Sequence, residues 1–217
     1  RLYQRWASSG IGMIITGNIM IDRRALGEPG NVVIEDERDF EILKKWAKTV
    51  TEQGSQLWAQ LNHPGKQSPK GLNARNISAS AVPFGTEMQS LFTTPDEATH
   101  DEIIEIIQRF GRSAVICKNA GFSGVEIHAA HGYLINQFLS PLHNLRTDEW
   151  GGTPEKRRKF LMDVYTEIRK QVGADFPIAI KLNSADFQKG GFTEEDSLEV
   201  IKALAAAGID LIEISGG

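Results

Sequence analysis

The chain of 217 residues carries 24 Lys and Arg against 28 Asp and Glu, a formal net charge of −4, and 41% of it is hydrophobic. This suits one substantial globular core, and with no long like-charged block it excludes the electrostatic footprint of a nucleic-acid binder. The longest apolar stretch, Ile11 to Ile21, is interrupted by Thr16, Gly17 and Asn18 and falls short of the roughly 18 apolar residues of a membrane helix, while a lone cysteine, Cys117, excludes an internal disulfide and points to a reducing, cytoplasmic setting.

Leu2, Tyr3, Trp6 and Ala7 mark one helical face that stops at Gly10, and Ile11 to Ile15 then reads as a strand covered on both faces. A second helix is predicted from Arg38 to Gln53, with Phe40, Leu43, Ala47 and Val50 on one stripe and Gly54 as its stop, before a strand from Gln56 to Leu61. Thr99 and Glu102 form a capping box for a helix carrying Ile103, Ile107, Phe110 and Ala114, closed by Gly121 and followed by a strand from Gly124 to His128. Thr153 as N-cap with Pro154 behind it opens a helix through Phe160, Val164, Ile168 and Val172, leading to a strand from Ile178 to Leu182. Thr193, Leu198, Ile201 and Leu204 outline the last helix, ended by Gly208, and Leu211 to Ile214 is the last strand.

Strict helix-then-strand alternation predicts an α/β domain with an all-parallel sheet. The loop after Ile15 reads Thr16-Gly17-Asn18-Ile19-Met20, and no G-x-G-x-x-G or Walker motif occurs, so a TIM (β/α)8 barrel fits better than a Rossmann sheet. A complete barrel has eight strands and typically about 250 residues. Residues 1–217 therefore read as one incomplete barrel domain, an internal fragment holding about strands two to six.

Barrel enzymes place their chemistry at the carboxyl ends of strands. Those ends supply Thr16 and Gly17, Gln60 with His63, His128 with His131, Lys181 with Asn183, and Ser215. The loops from Gly17 to Glu37 and from Asn62 to Ala98 are far longer than ordinary βα turns and suggest a built site. The stretch Glu126-Ile127-His128-Ala129-Ala130-His131-Gly132-Tyr133 delivers two imidazoles and a phenol into one loop, groups suited to polarising a carbonyl oxygen and supplying a proton. The spacing of His128 and His131 lacks the Glu of a zinc-protease helix, and no metal is expected. Cys117 falls mid-helix, away from the rim, as a buried structural thiol.

Gly124 to Pro141, with the sequence GVEIHAAHGYLINQFLSP, followed by Asn144-x-Arg146-Thr147-Asp148-x-x-Gly151-Gly152, strongly resembles the old yellow enzyme family of FMN-dependent ene-reductases. Ile14 to Asn18, Gln60-Leu61-x-His63-x-Gly65-Lys66 and Lys181-Leu182-Asn183 fall in the family's order, so the resemblance covers essentially the whole chain. It implies an FMN-binding TIM barrel that takes electrons from NAD(P)H and reduces small enone-type substrates, C=C bonds activated by a carbonyl or nitro group. It implies cofactor contacts at Thr16 and Gly17, at Gln60 on the pyrimidine ring, and at Lys181, which stands where the family often has arginine, beside flavin N1 and O2. His128 and His131 are implied to hold the substrate carbonyl oxygen, with Tyr133 as proton donor. The family's first strand and last two strands, whose loops hold the FMN phosphate, are expected to be missing, which weakens the binding of FMN by these residues alone. Dienoyl-CoA reductases and amine dehydrogenases are multidomain relatives that stay open at this point, although the histidine pair leans towards the single-domain ene-reductases. A hydrolase or lyase using the histidines with Glu126, and an inactive remnant, are the readings outside the family.

Overall fold

The apolar runs pair as parallel strands. In a computed structural model describing residues 1–217, α1 (Leu2–Ala7) leads to β1 (Met13–Met20), β2 (Val32–Val33), α2 (Phe40–Thr51) and β3 (Gln56–Asn62). Then come β4 (Ile77–Ser78), β5 (Asp96–Glu97), α3 (His100–Ala120), β6 (Gly124–Ala129), α4 (Leu134–Leu139), α5 (Pro154–Val172), β7 (Ile178–Asn183), α6 (Glu194–Ala207) and β8 (Leu211–Ser215). The main sheet has the order β2-β1-β3-β6-β7-β8, and every neighbouring pair is parallel. Apart from the short β2, chain order and sheet order coincide, the arrangement of a (β/α) barrel wall.

Local signals explain the helices. At the start of α3 the Thr99 hydroxyl accepts from the Glu102 N–H, the Glu102 carboxylate accepts from the Thr99 N–H, and Gly121 closes the helix at φ 92°. Thr153 caps α5 with Pro154 behind it, and Thr193 with Asp196 forms a second capping box on α6. Period-2 alternation in β6 sends Val125, Ile127 and Ala129 into the apolar core, which extends to α3 and α5 through Ile103, Phe110, Phe160 and Val164. Gly124, Glu126 and His128 occupy the opposite, inner face.

Strand β1 starts later and runs further than Ile11 to Ile15. Its register with β3 slips between Ile15, opposite Trp58, and Asn18, opposite Gln60, so one residue is extra and the strand carries a bulge at Thr16 and Gly17. Thr16 Oγ1 accepts the Gln60 N–H at 2.9 Å, filling the gap the bulge leaves in the ladder. The polar residues that read as a loop are therefore strand. The elements β2, β4 and β5 lie in stretches read as loops, and α4 lies in a stretch to which the sequence assigned no element. The β4–β5 pair belongs to the long segment after β3, and buried Arg146 ties that segment down by donating to the carbonyls of Ala79 (3.1 Å) and Ala98 (2.7 Å).

Gly124 faces Trp58 across the β3–β6 ladder, and a Cβ there would stand 2.7 Å from the indole. Gly124→Ala should lower the unfolding free energy by about 1–3 kcal/mol, the usual cost of overpacking. A denaturant midpoint equal to wild type would show that the indole yields freely and does not fix this strand pair.

Candidate active site

The site begins where β6 ends. After His128 the chain turns through His131 at φ 60° and Gly132 at φ 74° before Tyr133 caps the short helix α4. A left-handed histidine is uncommon and costs on the order of 1 kcal/mol or more, so its surroundings must hold it. The His131 N–H donates to Asn183 Oδ1 at 3.0 Å on β7, and its Nε2 lies 2.6 Å from Ser215 Oγ at the end of β8. The Gly132 N–H donates to Asn136 Oδ1 at 2.8 Å, and Gln137 Nε2 donates to the Gly132 carbonyl at 2.6 Å. The turn is thus clamped by two neighbouring strands and by α4.

The clamp gathers the three side chains singled out in the loop. The His128 and His131 rings meet edge to face with centroids 5.0 Å apart, and His128 meets Tyr133 likewise at 4.8 Å. Burial, then the neighbouring His131 and Lys181 charges, push the His128 imidazolium down to about 3. His131 is held below its ordinary value by burial and Lys181. Both rings are neutral near pH 7. His128 Nδ1 accepts the Ala130 N–H at 3.3 Å, so its proton sits on Nε2 as an outward donor. Asn18 Nδ2 donates to the Tyr133 hydroxyl oxygen at 3.0 Å, which leaves the phenolic proton free for another acceptor.

On the inner face Gln60 stands opposite Glu126, and its Nε2 donates to Glu126 Oε2 at 2.6 Å. Gln60 Oε1 is thereby left as an acceptor. Lys181, between His128 and Glu213 in the strand register, forms an ion pair with Glu213 and keeps further N–H donors. Gly17 is exposed in the bulge with nothing within 4 Å of where a Cβ would lie, so backbone there faces open space. An exposed backbone edge, an amide acceptor and a cation suit a flat ring that bears an imide N–H and anionic oxygens, and a flavin is such a ring.

Thr16 is buried and its hydroxyl is committed to the bulge, accepting from Gln60 and donating to the Gly17 carbonyl at 2.8 Å. His63 follows the end of β3, its Nδ1 accepting the Gly65 N–H at 3.1 Å, and burial pushes it down to about 4 beside Asp22, Arg109 and Arg24. Asn18 and Glu213 join the site without having been singled out. Asn18 sits just past the bulge, and Glu213 lies two residues before Ser215 on the same strand face, a period-2 signal that was available.

The model of the family described as NADH:flavin oxidoreductase / NADH oxidase matches residues 2–216. The chain is 40% identical to the NADH-dependent flavin oxidoreductase nadA of Aspergillus parasiticus, over 99% of this chain and 50% of that protein. It is 36% identical to the NADPH dehydrogenase of Bacillus subtilis, over 98% of this chain and 61% of the relative. Among solved structures, a complex of 2-naphthoyl-CoA reductase with 2-naphthoyl-CoA superposes with a TM-score of 0.92 at 32% identity, covering 100% of this chain and 34% of that one. The old yellow enzyme homologue from Zymomonas mobilis gives 0.87 at 26% identity, covering 98% and 62%. The chain spans about half the length of the curated relatives it matches. No helix is long and apolar enough to cross a membrane.

The depressed His128 value has a thermodynamic consequence whose sign is fixed. Between about pH 6.5 and 3 the unfolded chain binds a proton at this histidine and the folded chain does not, so acidification favours unfolding. His128→Asn should therefore lose about 2 kcal/mol less stability than wild type between pH 7 and pH 5, measured by denaturant unfolding. Equal losses in the two proteins would mean that His128 titrates normally and is charged at pH 5.

Proposed function

The chain belongs to the NADH:flavin oxidoreductase / NADH oxidase family, and from that premise we propose that it builds the catalytic rim of an FMN-dependent, NAD(P)H-driven reductase of activated C=C bonds. One observation carries the reading: His128 and His131 are neutral hydrogen-bond donors that meet beside Tyr133, whose proton is free.

When bound, FMN supplies a hydride to the substrate carbon β to the activating carbonyl. Gly17 through its backbone, Gln60 through Oε1 and Lys181 through its ammonium are the groups that would hold the cofactor on this face. His128 Nε2–H and His131 grip the substrate carbonyl oxygen, where negative charge gathers as the β carbon is reduced. Preplaced donors of this kind are worth about 10²–10³ in rate each. Neutrality matters, because an imidazolium beside Lys181 would add like charge where burial already disfavours it. Tyr133 then delivers its proton to the α carbon, with Asn18 holding the hydroxyl by donating to its oxygen. A thioester carbonyl activates a double bond in the same way, and the high likeness to 2-naphthoyl-CoA reductase favours acyl thioesters as a second substrate class.

The full-length protein should absorb near about 450 nm, as oxidised flavins do. Tyr133→Phe should keep the reduction of the cofactor by NAD(P)H and slow its reoxidation by an enone by about 10²-fold or more. Stopped-flow measurement of the two half-reactions decides this, and equal slowing of both would remove Tyr133 as the proton donor.

A further inference from the structure

Beside Gln60 and Lys181 stand two carboxyl groups that the proposed reaction does not use. Glu126 is fully buried. Its Oε2 accepts from Gln60 Nε2 at 2.6 Å, but its Oε1 is buried without any donor. The neighbouring carboxyl is that of Glu213, an acceptor already paired with Lys181; strand register aligns it through Lys181 with His128, two residues beyond Glu126 on the same face of β6. Two carboxylates set against each other repel unless a proton lies between them, and although Glu213 is half-exposed, the Oε1 of buried Glu126 has no other group to supply one.

The surroundings say which group carries that proton. Burial, and after it the Glu213 carboxylate, push Glu126 up to about 7 against the opposing pull of Gln60 and Lys181. Burial also acts upward on Glu213, but the Lys181 ammonium outweighs it and holds that carboxyl below its ordinary value. The groups facing the pair are neutral Gln60 from β3, Lys181 from β7, and His131 beyond Glu213, which is neutral near pH 7.

We propose that Glu126 and Glu213 share one proton and act as a positioning device beside the cofactor contacts, turning Gln60 Oε1 outward and sparing Lys181 a second negative neighbour. This rests on the reading of Gln60 and Lys181 as flavin contacts. With the proton in place, Glu126, Glu213 and Lys181 sum to zero charge; without it they sum to −1. Negative charge arriving on the cofactor raises the proton affinity of the pair, so at pH values where the oxidised protein holds the pair deprotonated, reduction by two electrons from NAD(P)H draws its shared proton in from solvent. The reduction potential must then fall about twice as steeply with pH in the interval where the pair titrates, because two protons rather than one accompany the two electrons.

The test is a redox titration of the flavin-loaded, full-length protein between pH 5.5 and 8.5, with infrared difference spectra recorded on reduction, for wild type, Glu126→Gln and Glu213→Gln. Wild type should show the doubled slope near neutral pH together with a protonated-carboxyl C=O band that grows on reduction. Both should vanish in Glu126→Gln, where an amide supplies the missing donor without titrating, and in Glu213→Gln, where Glu126 loses its charged neighbour, the interval of doubled slope should move to lower pH. A single slope and no carboxyl band in wild type, a doubled slope that survives in Glu126→Gln, or one that stays at the wild-type pH in Glu213→Gln overturns the proposal. Protein that holds no flavin overturns the cofactor reading instead. The pair is then judged on the same protein by an infrared pH titration, in which a carboxyl band present in wild type and lost in Glu126→Gln supports it and its absence overturns it.

Discussion

The rim of this sheet depends on one turn. At His131 and Gly132 the backbone passes through the left-handed region, and the conformation persists because Asn183, Ser215, Asn136 and Gln137 all bond to it. The same contacts place the functional groups. The end of β6 is locked to β7 and β8, the Leu134 N–H at the start of α4 reaches back to the His63 carbonyl at 3.0 Å, and Gln137 Nε2 reaches the Pro64 carbonyl at 3.2 Å. Gly65, at φ 59°, has the Gln137 amide where a Cβ would lie, so glycine suits this approach. Strands distant in sequence therefore share one geometry at the point where His128, His131 and Tyr133 meet.

Burial, the same force that closes the core, sets the protonation of the inner face. It keeps His128 neutral and drives Glu126 towards its acid form, while Lys181 remains beside Glu213 as an ion pair. Neutral imidazoles beside a cation can donate to an oxygen without adding charge before the reaction begins.

Much of this was legible in the sequence where the signal is local. Capping at Thr99 and Thr153, helix stops at Gly121 and Gly208, and apolar runs at Ile178 and Leu211 mark helices and strands because hydrogen-bonded ends and one-sided burial leave short-range patterns. The trio proposed to be catalytic was visible for the same reason, since His128, His131 and Tyr133 lie close together in sequence. Strand β1 was cut short at Ile15 because a bulge breaks the alternation that announces a strand. Helix α4 escaped notice because all six of its residues are buried, so no polar face marks its period. Asn18 meets Tyr133 across 115 positions, and Glu213 meets Lys181 across 32, contacts fixed by sheet register rather than by neighbouring residues.

The central claim is that neutral donors on one turn and cofactor contacts on the neighbouring strands converge on a single substrate. A crystal structure of the full-length protein with FMN and a bound enone, or a phenol standing in for its enolate, tests this most directly. The account predicts the flavin ring against Gly17, Gln60 and Lys181, the ligand oxygen within hydrogen-bond distance of both His128 and His131, and the Tyr133 hydroxyl over the opposite face of the ligand. A flavin seated elsewhere, or a ligand oxygen that neither imidazole reaches, would contradict it.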